Sequence, residues 1–65
     1  MDEPADLREL FHQLNNQLGI ILAHAELIEA KAPDDPTRAR GTQVVTSALD
    51  ALTSVKAIRL RLSNL

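Results

Sequence analysis

The stretch that decides the fold is FHQLNNQLGIILAHAELI, residues 11–28 of a 65-residue chain. Apolar residues recur through it and beyond it at alternating steps of four and three, the heptad spacing of helices that pack along a seam. The seam comprises Leu7, Phe11, Leu14, Leu18, Ile21, Ala25, Ile28 and Ala32. His12 directly follows Phe11, at a b position beside the seam. The spacing predicts a long amphipathic helix whose histidine reaches water.

Small and polar residues continue the side of the helix on which His12 lies. Asn16, Gly19 and Ala23 follow it at steps of four, three and four, so all three share its helical face. We expect a partner to dock on the surface formed by Asn15, Gly19 and Ala23.

Three prolines mark the helix boundaries. Pro4 suits the first turn of a helix, and Pro33 disfavours helical geometry in the residue before it. We interpret Asp35 and Pro36 as the N-cap and first residue of a second helix. The sequence therefore predicts one domain, residues 1–65, with helices over about 4–32 and 36–63 and a loop over 33–35. Because the loop is short, the helices should be antiparallel neighbours.

The second helix has a broader apolar face, although Gly41 weakens its first third by about 1 kcal/mol relative to alanine. Its seam comprises Val44, Ala48, Ala51, Val55, Ile58, Leu62 and Leu65. Residues 1–32 carry six acids and two bases, whereas residues 36–65 carry one acid and five bases. This difference predicts ion pairs across the hairpin. At the loop end they would join Glu26 and Glu29 to Arg38 and Arg40.

A lone hairpin with seams this wide leaves half of its apolar surface in water. The chain has no cysteine, only two histidines and no His-Glu-x-x-His pattern, so neither a disulfide nor a metal site is expected to stabilise it. We expect an all-α fold in which two copies form a four-helix bundle. The predicted dimer core comprises Leu7, Phe11, Leu14, Leu18, Ile21, Ala25, Ile28, Ala48, Val55, Ile58 and Leu62. The alternative is that the hairpin packs on a different protein or on another part of a longer chain.

Composition argues against two classes of partner. A net charge of −2 and the absence of Trp and Tyr do not fit a general nucleic-acid binder, which needs surplus cations and stacking side chains. The longest apolar run, residues 20–23, is too short to span a bilayer, and the acidic start is the wrong sign for a signal peptide. We expect a soluble cytoplasmic protein.

The segments HQLNNQL (residues 12–18) and AELI (residues 25–28) resemble the phosphoacceptor region of sensor histidine kinases, in their dimerisation and histidine-phosphotransfer domain. That domain is a helical hairpin that dimerises into a four-helix bundle, so the resemblance covers most of the chain. It implies that His12 accepts a phosphoryl group and passes it to an aspartate of a response-regulator receiver domain. Neutral imidazole suits this role because it is nucleophilic near physiological pH.

The same resemblance implies roles for three neighbours of His12. Asn16 lies where relatives carry a Thr or Asn that orients water during dephosphorylation of the regulator, although it is equally explained as an outer-face polar residue. Gln13 replaces the usual Glu or Asp, and an amide cannot serve as the base in autophosphorylation. Gln17 replaces a kinking proline, so the first helix should be straighter than in relatives.

The chain lacks a Gly-rich nucleotide loop, because Gly19 and Gly41 are isolated. No cofactor is therefore expected, and phosphoryl groups would come from a kinase's ATP-binding domain in trans. The chain is either a piece of a kinase or a small free-standing protein, and Met1 favours the second. Two other hypotheses are a non-catalytic interaction protein that docks on a kinase or receiver, and a designed or excised hairpin. His24 flanks the seam and is expected to be partly buried.

Overall fold

The computed structural model describes residues 5–63. They form two helices, α1 (Ala5–Lys31) and α2 (Asp35–Ser63), joined by residues 32–34. Because the connection is so short, the helices run antiparallel and pack against each other, in a rod of 50 × 16 × 10 Å. The predicted all-helical hairpin is confirmed for these residues. The expected helix start at Pro4 and the seam residue Leu65 lie outside them.

The interior of the hairpin is formed mainly by one side of the α1 seam. Phe11 and Ala25 of α1 and Ala48 and Val55 of α2 are buried. Half-buried side chains extend this interior along both helices: Leu7, Asn15, Leu18, Leu22, Glu29, Ala32, Val45, Leu52, Arg59 and Leu62. The other side of the α1 seam, formed by Leu14, Ile21 and Ile28, is exposed. The α1 helix is therefore rotated so that a-position residues face α2 while most d-position residues face outwards.

Gly41 determines how closely the helices approach near the loop. A β-carbon at this position would lie 2.9 Å from Cα and 3.0 Å from the backbone nitrogen of Glu29. Its neighbour Thr42 donates a hydrogen bond of 2.6 Å from Oγ1 to Glu29 Oε2. Gly41 thus allows α2 to pack directly on the α1 backbone, a role beyond the weakening of the helix expected from its propensity.

The N-cap of α2 lies one residue earlier than expected. The Thr37 amide donates to Asp34 Oδ1 at 2.7 Å, and the Arg38 amide donates to the Asp34 carbonyl at 3.1 Å. These are the bonds of an N-cap residue, so Asp35 is the first helical residue. Pro36 then lies in the first turn, where its missing N–H leaves no donor unpaired. Hydrogen bonds from Thr37 to the Asp34 carboxylate hold the pKa of Asp34 below its ordinary value, the bond from the amide having the larger effect and that from the hydroxyl the smaller.

The ion pairs expected at the loop end do not form in the described part of the chain. Glu29 is half-buried against α2 and accepts its hydrogen bond from the short Thr42 side chain. Instead, Nη1 of Arg38 lies 3.4 Å from Oδ1 of Asp35, three residues earlier on the same helix. The prediction was wrong because close packing at Gly41 puts a hydroxyl, rather than a long cation, opposite Glu29. Neither described helix contains an apolar stretch long enough to cross a membrane.

Candidate functional site

His12 lies in the first half of α1 with an exposed side chain. The preceding residue, Phe11, is buried against α2, and one residue turns a helix by about 100°. The imidazole therefore points sideways from the hairpin, near the edge where the two helices meet. No side chain within residues 5–63 hydrogen-bonds the ring, which leaves it open to an approaching molecule.

The hairpin has two long faces, one on each side of the plane through both helix axes. Apolar residues cover one of them, which we term the apolar face: Leu10, Leu14, Ile21, Ile28, Val44, Ala51 and Ile58. All of these are exposed except Ala51, which is half-buried. Leu14 follows His12 by two residues, or about 200° of helical turn, so the histidine projects from the opposite face. We term that opposite face the His12 face; it also carries one exposed leucine of α2, Leu49.

Asn16, Gly19 and Ala23 are all exposed and continue the His12 face along α1. A β-carbon added at Gly19 would have no atom within 4 Å, so the surface there is open. Gln13 is exposed on the outer side of α1, away from α2. Asn15 differs from the docking residues with which it was grouped, because it is half-buried on the side of α1 that faces α2.

His24 is exposed in the hairpin, contrary to the expectation that its ring would be partly buried. The rotation of α1 explains the difference, because a-position residues face α2 and a g-position side chain is then left outside. Helical spacing puts His24 beside Ile21 and Ile28 at the edge of the apolar face. The two histidines of the chain therefore lie on opposite sides of α1.

Two exposed cationic residues lie near the imidazole, beside the half-buried Arg59 of α2. Arg8 lies one helical turn before His12 on α1, at the border between the His12 face and the side that faces α2, and its side chain is exposed. Lys56 of α2 is also exposed. The contact between Gly41 and Glu29 sets the register of the hairpin. In this register Lys56 lies two residues, about 3 Å along the helix axis, nearer the loop than His12. The sequence predicts Lys56 near the acidic start of the first helix, but only the tertiary register brings it beside the histidine.

The His12 face is an open surface. Within residues 5–63 there is no enclosed pocket, and no three His, Asp or Glu side chains cluster as metal ligands. The chemistry that this surface offers is that of an exposed imidazole with cations on both sides of it. No protein-family model, no curated protein and no solved structure matches the chain.

Proposed function

We propose that this chain is a histidine phosphoacceptor module of two-component signalling, which dimerises through its apolar face and exchanges a phosphoryl group at His12. The observation that carries the proposal is the position of His12 on the face opposite Leu14, Ile21 and Ile28. A module that dimerises through one face needs its reactive imidazole on the other. The resemblance of residues 12–18 to the phosphoacceptor segment of sensor kinases supports the same conclusion.

The exposed surface of the hairpin supports dimerisation. The chain exposes 5070 Å², whereas a compact monomer of this mass exposes about 4100 Å². The difference of about 1000 Å² is comparable to the roughly 800 Å² that each partner buries in a standard protein interface. Ile21 and Ile58, in the middle of the apolar face, are 48% and 52% exposed. A second copy is the simplest partner that would cover them, because one patch then serves both subunits.

Side-chain size supports a bundle in which both loops lie at the same end. By the register of the hairpin, Ile21 and Ala51 lie at nearly the same height on the apolar face. A two-fold axis parallel to the helices packs α1 on α2 of the partner, so the large Ile21 meets the small Ala51. A perpendicular axis would instead pair Ile21 with its own copy and Ala51 with its own copy, which fills space poorly. In the parallel arrangement both His12 side chains point outwards.

The proposed chemistry is an in-line phosphoryl transfer. A ring nitrogen of His12 attacks the phosphorus of a donor held by a kinase domain in trans, and the bond from phosphorus to its leaving oxygen breaks. In the second transfer, a receiver aspartate attacks the phosphorus and the nitrogen–phosphorus bond breaks. Asn16 lies one turn further along the same face, where its amide can orient a water molecule for dephosphorylation of the receiver. Gln13 cannot take up a proton as a carboxylate would.

The test is to incubate the protein with histidine kinases and receiver domains from its own organism and to detect acid-labile phosphohistidine. We expect phosphoryl transfer to at least one receiver. Both His12→Ala and His12→Gln should abolish it while changing the free energy of unfolding by less than about 0.5 kcal/mol, as surface substitutions do. The matched control, His24→Ala, should transfer normally. Transfer that survives His12→Ala would show that His12 is not the acceptor.

Gln13 favours a second candidate function, that of a non-catalytic module which only binds a kinase or a receiver. An amide beside the histidine leaves the dimer surface intact but removes the usual base. Under this alternative, binding to a kinase hairpin or a receiver is measurable while phosphohistidine never forms. The same incubation, combined with a binding measurement, therefore distinguishes the two functions.

A further inference from the structure

The surroundings of His12 differ in charge from the chain as a whole. The protein carries a net charge of −2, with six acids and two bases in residues 1–32. Phosphorylation would add nearly two further negative charges. Yet the described residues around His12 include two exposed cations, Arg8 and Lys56, and the half-buried Arg59.

Arg8 is well placed to meet a group bound to the imidazole. It precedes His12 by four residues, so the two side chains are neighbours on one helical face. Side chains of an α-helix lean towards its N-terminus, and the ring of His12 therefore lies over the turn that carries Arg8. A guanidinium presents several N–H donors in a plane, which matches the oxygen atoms of a phosphoryl group.

The second exposed cation, Lys56, lies on α2. It lies on the His12 face across the groove between the helices, about 3 Å nearer the loop than the histidine along the helix axis. Its side chain leans towards the loop, but its flexible four-carbon stem lets the ammonium group swing towards a negative charge. The two cations thus flank the imidazole, one on each helix.

The nearest acid on α1 is Glu9, three residues before His12. Its helical position is turned further from α2 than that of His12, towards the outer side of the hairpin. Glu9 is exposed, so water screens it, but its charge opposes that of the two cations.

We propose that Arg8 and Lys56 bind the phosphoryl group carried by His12 and so stabilise the phosphorylated state. This inference rests on the proposed phosphoacceptor role of His12. The oxygen atoms of the phosphoryl group accept hydrogen bonds from the guanidinium of Arg8 and the ammonium of Lys56. Because the site is exposed, the effect is a several-fold change in yield and lifetime, and salt weakens it.

The experiment uses phosphoramidate, a small donor that needs no kinase. A ring nitrogen attacks its phosphorus, the phosphorus–nitrogen bond to the leaving group breaks, and ammonia departs. Phosphorus NMR measures phosphohistidine at His12, and His24 serves as an internal reference on the other side of α1. His12→Ala and His24→Ala assign the two signals. The variants are Arg8→Gln, Lys56→Gln, the double variant and Glu9→Gln, each checked for its fold and dimer by circular dichroism and sedimentation.

We expect the ratio of His12 to His24 phosphorylation to fall several-fold in the double variant and to rise in Glu9→Gln. The control is Arg61→Gln, which removes the same charge near the same end of the hairpin but on the apolar side of α2, and should leave the ratio unchanged. The differences should shrink at about 1 M salt, where the Debye length is about 3 Å.

A ratio in the double variant equal to that of the unchanged protein would overturn the inference, as would an equal fall in Arg61→Gln. Failure of the proposed function gives a different result. In that case His12 still reacts with phosphoramidate in a manner that depends on Arg8 and Lys56, but no receiver domain accepts the phosphoryl group.

Discussion

Gly41 lies so close to Glu29 that a β-carbon on the glycine would come 2.9 Å from the glutamate Cα. The two nearest atoms belong to the backbone of α1 and the third is the β-carbon of Glu29, so no flexible part of a side chain can move aside. This contact sets the separation of the two helices near the loop. It also positions Thr42 for its hydrogen bond to Glu29.

The first prediction concerns the two glycines. Alanine stabilises a helix interior by about 1 kcal/mol relative to glycine, and Gly19→Ala should gain up to that amount because nothing lies within 4 Å of the new methyl group. Gly41→Ala should instead lose stability, since overpacking of this kind typically costs about 1–3 kcal/mol. Chemical denaturation at one protein concentration measures both. Equal stabilisation by the two substitutions would contradict the close packing at Gly41.

The hydroxyl of Thr42 allows a second matched comparison. Both Thr42 and Thr53 lie 3.1 Å from the carbonyl oxygen four residues earlier, but only Thr42 also reaches a carboxylate on the other helix. Thr42→Val should therefore destabilise the hairpin by about 1 kcal/mol more than Thr53→Val. The measurement is thermal unfolding followed by circular dichroism. Identical losses would mean that the bond to Glu29 contributes nothing.

Asp34 should make the stability of the fold depend on pH. The amide of Thr37 lowers the pKa of Asp34 in the folded state from its ordinary value of 3.8. Its contribution is complete above that value and is lost as the pH falls through the lower folded-state pKa. Asp34→Asn keeps a capping side chain that does not titrate. The stability advantage of the natural protein over Asp34→Asn should therefore shrink on acidification below pH 3.8, as unfolding curves across the acid range will show. A constant difference would contradict this prediction.

The proposed dimer predicts unequal effects for two equally exposed apolar residues. Ile21 is 48% exposed and Leu27 is 53% exposed, but Ile21 lies on the apolar face and Leu27 on the side of α1 that points away from α2. Ile21→Glu should abolish dimerisation and make the hairpin unfold at much lower denaturant concentration, whereas Leu27→Glu should do neither. Sedimentation and unfolding at several protein concentrations test this, because the stability of a dimer rises with concentration. A stable monomeric Ile21→Glu protein would contradict the bundle.

A bulky residue at Gly19 or Ala23 should block docking without disturbing the fold. Gly19→Leu and Ala23→Leu fill the small-residue strip of the His12 face, on which a receiver domain has to lie. We expect a folded dimer with at least tenfold weaker receiver binding, as measured by calorimetry. Ala57→Leu, exposed on the far side of α2, is the control and should bind normally. Unchanged affinity in all three variants would show that the receiver domain docks on a different surface.

Local patterns in the chain were sufficient to predict two helices, a short connection and a histidine in water. Apolar spacing and the prolines at positions 33 and 36 act over a few residues, so their consequences can be derived without tertiary contacts. The N-cap was misplaced by one residue because Asp34 and Asp35 are both capable caps. Only the hydrogen bond from the Thr37 amide distinguishes them.

The rotation and register of the helices were decided by contacts between residues far apart in the chain. Leu14 and Ile21 belong to the same heptad series as the buried Phe11 and Ala25, yet both are exposed. A periodic seam does not specify which of its two sides faces a neighbouring helix. Close packing of Gly41 on the Glu29 backbone sets the register. That register, which no local pattern contains, puts Lys56 beside His12, while the rotation of α1 leaves His24 at the edge of the apolar face.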